Sequence, residues 1–94
     1  MAIKTFATKE TAAVFARVRV RRFGTALQVL AQRKLAILDR VVSIDELRVP
    51  PGNRLERLSG DRAGQWSIRL NEQWRICFAW RDAGAWDVEI VDYH

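Results

Sequence analysis

The sequence predicts an α+β fold: a two-helix hairpin packed on one face of a small, mainly antiparallel twisted sheet. Three observations predict it. Apolar residues recur at helical spacing up to about residue 42. From Arg54 onward the period changes to two. The segments of the second half are joined by connections too short for anything but hairpins and a meander.

Taken in order, Ile3 to Ala7 alternates weakly and reads as a first strand. Thr8 is placed to cap a helix over about Lys9 to Val20, with Glu10 in its first turn. Ala12, Phe15, Ala16 and Val18 give that helix its apolar positions. Gly24 breaks the pattern, and Thr25 is read as the cap of a second helix running to about Val41. Leu27, Leu30, Ala31, Leu35, Leu38 and Val42 form its stripe, with Gln28, Gln32, Arg33, Asp39 and Arg40 on the remainder. So short a link makes the two helices an antiparallel hairpin. Ser43-Ile44-Asp45-Glu46 is a capping box that opens one helical turn, and Pro50-Pro51-Gly52-Asn53 ends helical structure.

The sheet then follows. Arg54 to Leu58 reads as a short strand and residues 59–64 as a loop. Trp66, Ile68 and Leu70 share one face, and Gln65, Ser67 and Arg69 the other. Trp74, Ile76, Phe78 and Trp80 continue the apolar face, with Arg75, Cys77, Ala79 and Arg81 opposite. Asp82-Ala83-Gly84 is a hairpin loop in which Gly suits φ > 0. Trp86, Val88 and Ile90 complete the inward face of a last strand that runs to Asp92-Tyr93-His94. By alternation Asp92 and His94 share a face with Ile90, and Tyr93 faces the other way.

Ninety-four residues fit one domain, 1–94. Such a chain buries roughly 60–70% of its unfolded surface, enough for one core without a disulfide or metal. The single cysteine, Cys77, lies in a strand pattern and reads as a small buried hydrophobe. One His and one Cys do not make a zinc site, although carboxylates can serve a harder ion. No cofactor is expected. The chain opens directly into a patterned strand without a long apolar run, so a cytoplasmic protein with no membrane partner is expected.

The net charge is +5, and 13 of the 16 basic residues are Arg. Residues 1–48 hold ten basic against four acidic residues, whereas residues 49–94 hold six against seven. This points to nucleic acid or an acidic protein as partner. The cluster Arg17, Arg19, Arg21, Arg22 and Arg33 is a candidate for backbone phosphates, and equally a solvated helix face.

Several motifs stand in order from residue 51. They are Pro51-Gly52-Asn53-Arg54-Leu55-Glu56, Gly60-Asp61-Arg62, Gly64-Gln65-Trp66-Ser67-Ile68-Arg69, Gln73-Trp74-Arg75-Ile76 and Val88-Glu89-Ile90-Val91-Asp92-Tyr93-His94. This series resembles the HigB toxins, a branch of the RelE/ParE superfamily of bacterial toxin–antitoxin systems. The resemblance implies two helices packed on a twisted sheet. It implies a toxin that inhibits translation as a ribosome-dependent mRNA endoribonuclease, cutting in the ribosomal A site without a metal. It also implies a HigA-like antitoxin, the 70S ribosome and mRNA as partners, with operator DNA met only through the antitoxin complex. The superfamily leaves two alternatives open: a ParE-like inhibitor of DNA gyrase, or a weakly active or inactive RNA-binding relative.

The resemblance also gives residue roles. His94, the one histidine, is implied as a proton-transfer group, its charge favoured by Asp92 and the terminal carboxylate. Tyr93 is implied to stack on a base or orient the phosphate, and Asp92 to orient His94 or act as base. Arg75 matches a phosphate-contacting position. Arg62 is a second candidate, read equally as an RNA contact or as half of a salt bridge with Asp61 or elsewhere, and Arg69 is a further one. Apart from the resemblance, the charge of Arg17, Arg21 and Arg22 makes them candidates for docking on ribosomal RNA. At Glu56 and Ser59 some relatives carry a histidine and a lysine. Glu56 can still serve as a base, whereas Ser59 supplies no positive charge.

Overall fold

A computed structural model of the chain describes residues 1–93. Helices α1 (Lys9–Phe15) and α2 (Thr25–Leu38) precede a four-stranded antiparallel sheet. Its strands, β1 (Glu56–Arg57), β2 (Gln65–Arg69), β3 (Trp74–Arg81) and β4 (Gly84–Asp92), lie in sequence order. Short 3₁₀ turns cover Ile44–Arg48, Pro51–Asn53 and Gly60–Arg62. The N-terminal segment lies parallel to β4 through isolated bridges, Ile3 to Ala85 and Phe6 to Val88, rather than as a full strand.

The core lies between the helices and one sheet face. Phe23, Leu35, Leu38, Ile68, Ile76, Phe78 and Val88 are almost wholly buried within it. Burying such a side chain is worth roughly 1.5–3 kcal/mol. The ring of Phe23 meets Trp74 edge-on, with centroids 5.4 Å apart, and ties the helix connection to β3. Among the described residues no helix is long and apolar enough to cross a membrane.

Both helices are shorter than their periodicity predicts. α1 stops at Phe15, not Val20, because Arg17 takes a left-handed conformation, φ 66°. Its N–H donates to Val14 O, and that of Val18 to Ala13 O, which closes a Schellman motif. α2 starts from Gly24, which caps it without a side-chain bond, so Thr25 opens the helix rather than capping it. It ends at Leu38, and Val42 is left exposed. Gln28, expected on the polar side, is buried: its amide donates to Val18 O and accepts from the Val20 N–H and from Arg19. The capping box forms as read: Ser43 accepts from Asp45 N, and Glu46 accepts from Ser43 N.

The sheet departs from simple alternation in three places. The first strand of the meander shrinks to Glu56–Arg57, since Arg54 is left-handed at φ 45°. In the β3–β4 hairpin Asp82 and Ala83 carry the positive φ values, 52° and 54°. Gly84 serves a different need, because a Cβ there would lie 3.2 Å from Ala2 O and 2.8 Å from Lys4 Cε. Finally, β4 bulges at Asp87, φ 53°, and the register shifts between Cys77 and Ala79. The bulge places Ala85 in the core with Val88 and Ile90, and takes Trp86 off that face. Trp86 instead donates its indole N–H to Arg81 O and stacks under the Arg81 guanidinium.

Thr11, wholly buried, joins α1 to β4: its hydroxyl accepts the Ile90 N–H at 3.0 Å and pairs with Thr8. It supplies the bond that a neighbouring strand would otherwise make beyond Phe6. Thr11→Val keeps the shape and leaves that N–H without a partner. A loss of about 1–3 kcal/mol in urea unfolding is expected, and an unchanged midpoint would refute the role.

Candidate active site on the outer sheet face

The face of the sheet turned away from the helices gathers several of the candidate residues. Arg75 is at its centre on β3, and only 8% of it is exposed. β3 lies between β2 and β4, and Arg75 faces Arg69 on one side and Val91 on the other. Its Nε donates to Ser67 Oγ at 2.7 Å, and its Nη2 donates to Arg54 O at 2.7 Å. Nη1 lies 3.7 Å from Glu56 Oε1, an ion pair longer than a hydrogen bond. The Tyr93 ring stands 5.7 Å from the guanidinium carbon, close enough for cation–π attraction.

So the structure brings together Arg75, Glu56 and Tyr93. Glu56 reaches the group from the edge strand, opposite Ser67, and its side chain is half exposed. Tyr93 reaches it because it lies two residues beyond Val91, the partner of Arg75, and its N–H is fixed to Gln73 O at 2.6 Å. Ser67 is a member that sequence reasoning missed. A lone serine on an outer face reads as solvated, and its place between Glu56 and Cys77 becomes visible only from the register.

The remaining candidates divide. Asp92 pairs with Trp74, so it sits on the helix-side face and accepts from Gln73 Nε2 at 3.1 Å. His94 lies outside the described residues. Arg62 is on the same side as Arg75, but its guanidinium is held by Gln65 Oε1 at 3.0 Å and Glu89 Oε1 at 3.3 Å. Its partner is therefore Glu89, not Asp61. Arg69 is half-buried and donates to Asn71 O. Ser59 is exposed just before the Gly60–Arg62 turn.

The helix-layer arginines do not join this cluster. Arg22 is paired with Glu10 and lies over the rings of Phe23 and Trp74. Arg19 folds inward to Val20 O, Phe23 O and Gln28, so it holds the helix connection. Arg17 lines a groove on α2 with Arg33 and Arg40, and Arg21 is exposed. Among the described residues no group of three or more His, Cys, Asp or Glu could hold a metal ion.

A model of the family described as RelE-like toxin of type II toxin–antitoxin system HigB matches residues 5–94. The chain belongs to the HigB-like toxin family. It is 43% identical over 67 residues to Toxin HigB-1 of Vibrio cholerae serotype O1, covering 71% of this chain and 70% of that protein. It is 37% identical over 76 residues to Endoribonuclease HigB of Proteus vulgaris, covering 76% and 83% of the two. The fold agrees with the YoeB–YefM complex from Staphylococcus aureus, with a TM-score of 0.61 at 14% identity over 100% of this chain and 99% of that one. At that identity the likeness establishes a common fold and nothing finer. The α+β layering read from the sequence is that of this HigB-like chain.

Cys77 is fully buried beside the site, between Ser67 and Glu89 in register. Burial pushes its thiol above the ordinary value, against a smaller downward pull from Arg62 and Arg75. The thiolate is therefore scarce at neutral pH. In the native protein a thiol-specific disulfide reagent is expected to leave Cys77 unmodified at pH 7.5, with full reaction in denaturant. Rapid native reaction would contradict the burial.

Proposed function

We propose that this HigB-like toxin is a ribosome-dependent endoribonuclease that cuts mRNA in the A site without a metal. The observation that carries the proposal is the outer-face cluster, in which the Arg75 cation on β3, the Glu56 carboxylate on β1 and the Tyr93 ring just after β4 converge. The Endoribonuclease HigB of Proteus vulgaris supports the same reaction class. A HigA-like antitoxin is the protein partner in this reading, and the cytoplasm its compartment.

Metal-free cleavage of RNA needs three things. The 2′-hydroxyl must lose a proton, the phosphorane must be stabilised, and the leaving 5′ oxygen must gain a proton. Glu56 takes the first proton, being the solvent-accessible carboxylate at the cluster. Arg75 offers its cation to the phosphorane. His94 supplies the proton to the 5′ oxygen. Tyr93 stacks on a base, which holds the sugar-phosphate over Arg75. Arg62 and Arg69 flank the path of the RNA, and Arg17, Arg21 and Arg22 meet ribosomal phosphates away from this face.

The test uses 70S ribosomes, a defined mRNA and mapping of 5′ ends. His94→Ala is expected to slow cleavage by roughly 10²–10⁴-fold, the usual worth of a proton-transfer group. Arg75→Lys, which loses the planar fork, is expected to cost on the order of 10²-fold or more. Cleavage indifferent to both changes defeats the assigned site. Absence of cleavage together with inhibition of DNA gyrase defeats the reaction class.

Ser59 leaves the site one positive charge short of some relatives. Ser59→Lys is therefore expected to raise the single-turnover rate by about tenfold or more, in the range of one added electrostatic contact. An unchanged rate would show that the charge is supplied elsewhere.

A further inference from the structure

We infer that Ser67 and the backbone of Arg54 are positioning residues for Arg75, turning one edge of its guanidinium toward the RNA phosphate. The inference rests on the cleavage reading above.

A guanidinium is a planar fork of five N–H groups, and it presents them along defined edges. Nε–H and one Nη2–H share one edge. Ser67 Oγ accepts from Nε–H and Arg54 O accepts from Nη2, both at 2.7 Å. Nε and Nη2 are therefore engaged by the protein. Nη1 is turned toward Glu56, and there the contact is loose at 3.7 Å. A phosphate oxygen can approach Nη1 without breaking either hydrogen bond. It would then lie beside the exposed carboxylate that takes the 2′-hydroxyl proton.

Both acceptors are built for this task. Ser67 is wholly buried between Glu56 on β1 and Cys77 on β3, so its hydroxyl is not turned to water. Arg54 is left-handed, φ 45° and ψ 55°, a conformation costing a non-glycine residue roughly 1 kcal/mol. That backbone conformation accompanies a carbonyl aimed at Arg75. The preceding residue, Asn53, is buried and holds the turn rigid. Its amide donates to Leu47 O and Val49 O, and its carbonyl oxygen accepts from Lys34 on α2. The strain at Arg54 is thus supported from the helical layer.

A double-mutant cycle on the full chain tests the inference. Ser67→Ala is expected to lower the single-turnover cleavage rate about 10- to 100-fold, with little change in the ribosome concentration giving half-maximal rate. In the Arg75→Lys background the same change should cost less than about twofold, since lysine has no Nε–H fork to hold. Multiplicative losses, or no loss from Ser67→Ala in a cleaving parent, overturn the inference.

Two further arms keep it falsifiable. Should Ser67→Ala not fold, the exposed Arg54 serves: Arg54→Val, which disfavours the left-handed conformation, should lose several-fold more rate than Arg54→Asn, which tolerates it. Equal losses overturn the backbone's role. Independently of cleavage, the Arg75 Nε–H should exchange slowly with solvent in ¹⁵N NMR of the parent chain. Fast exchange in the parent overturns the positioning, whereas slow exchange in a parent that does not cleave defeats only the reaction.

Discussion

The rest of the structure depends on one buried cation. A guanidinium taken out of water costs several kcal/mol unless its donors and its charge are answered. Arg75 is answered from four separate places: Ser67 on β2, the backbone of Arg54, the carboxylate of Glu56 and the ring of Tyr93. Each fixes an element. β2 must pair with β3 so that serine stands near Arg75, and the chain before β1 must turn left-handed. β4 must end with an aromatic ring on this face. Removing the charge would loosen all four demands at once. The candidate site and the pairing of the strands therefore draw on the same contacts.

Much of the fold was legible in the sequence because burial obeys short periods. The stripe Leu27, Ala31, Leu35, Leu38 and the alternation through Ile68, Ile76 and Phe78 give the layers and the core face. What was illegible is where a residue other than glycine takes a positive φ. Arg17 ends α1, Arg54 shortens β1, Asp82 and Ala83 make the hairpin, and Asp87 makes the bulge. The residue types at these positions do not mark them, since arginine, alanine and aspartate carry no intrinsic demand for a positive φ. Gln28 is the same lesson for a side chain, because its partners are peptide groups eight to ten residues away.

The candidate site was legible in part. Alternation put Arg75 outward, and likeness to a family drew attention to Glu56 and Tyr93; the structure brings the three together. Ser67 escaped because a small polar side chain carries no signal until its cross-strand partners are known. Arg62 was ambiguous for the opposite reason. Many acidic residues could pair with it, and Glu89, 27 residues away, does.

The bulge at Asp87 decides which tail residue meets Arg75. Ala85 faces the core. Unbroken alternation from Ala85 would turn residues 87, 89, 91 and 93 inward as well, placing Tyr93 against the helices and Asp92 beside Arg75. One extra residue reverses this, because a one-residue slip moves every later side chain to the other face. Val88 and Ile90 then face the core, and Tyr93 reaches the cation. The bulge is clamped by the N-terminal segment. Ala85 bonds to Ala2 O and to Lys4 N on one side, while the Val88 N–H donates to Thr5 O and the Asp87 N–H to Thr5 Oγ1 on the other. Gly84 lets that segment approach so closely. The first seven residues thus act on the last ones. By holding a kink in β4, they set an aromatic ring rather than a carboxylate over the buried arginine.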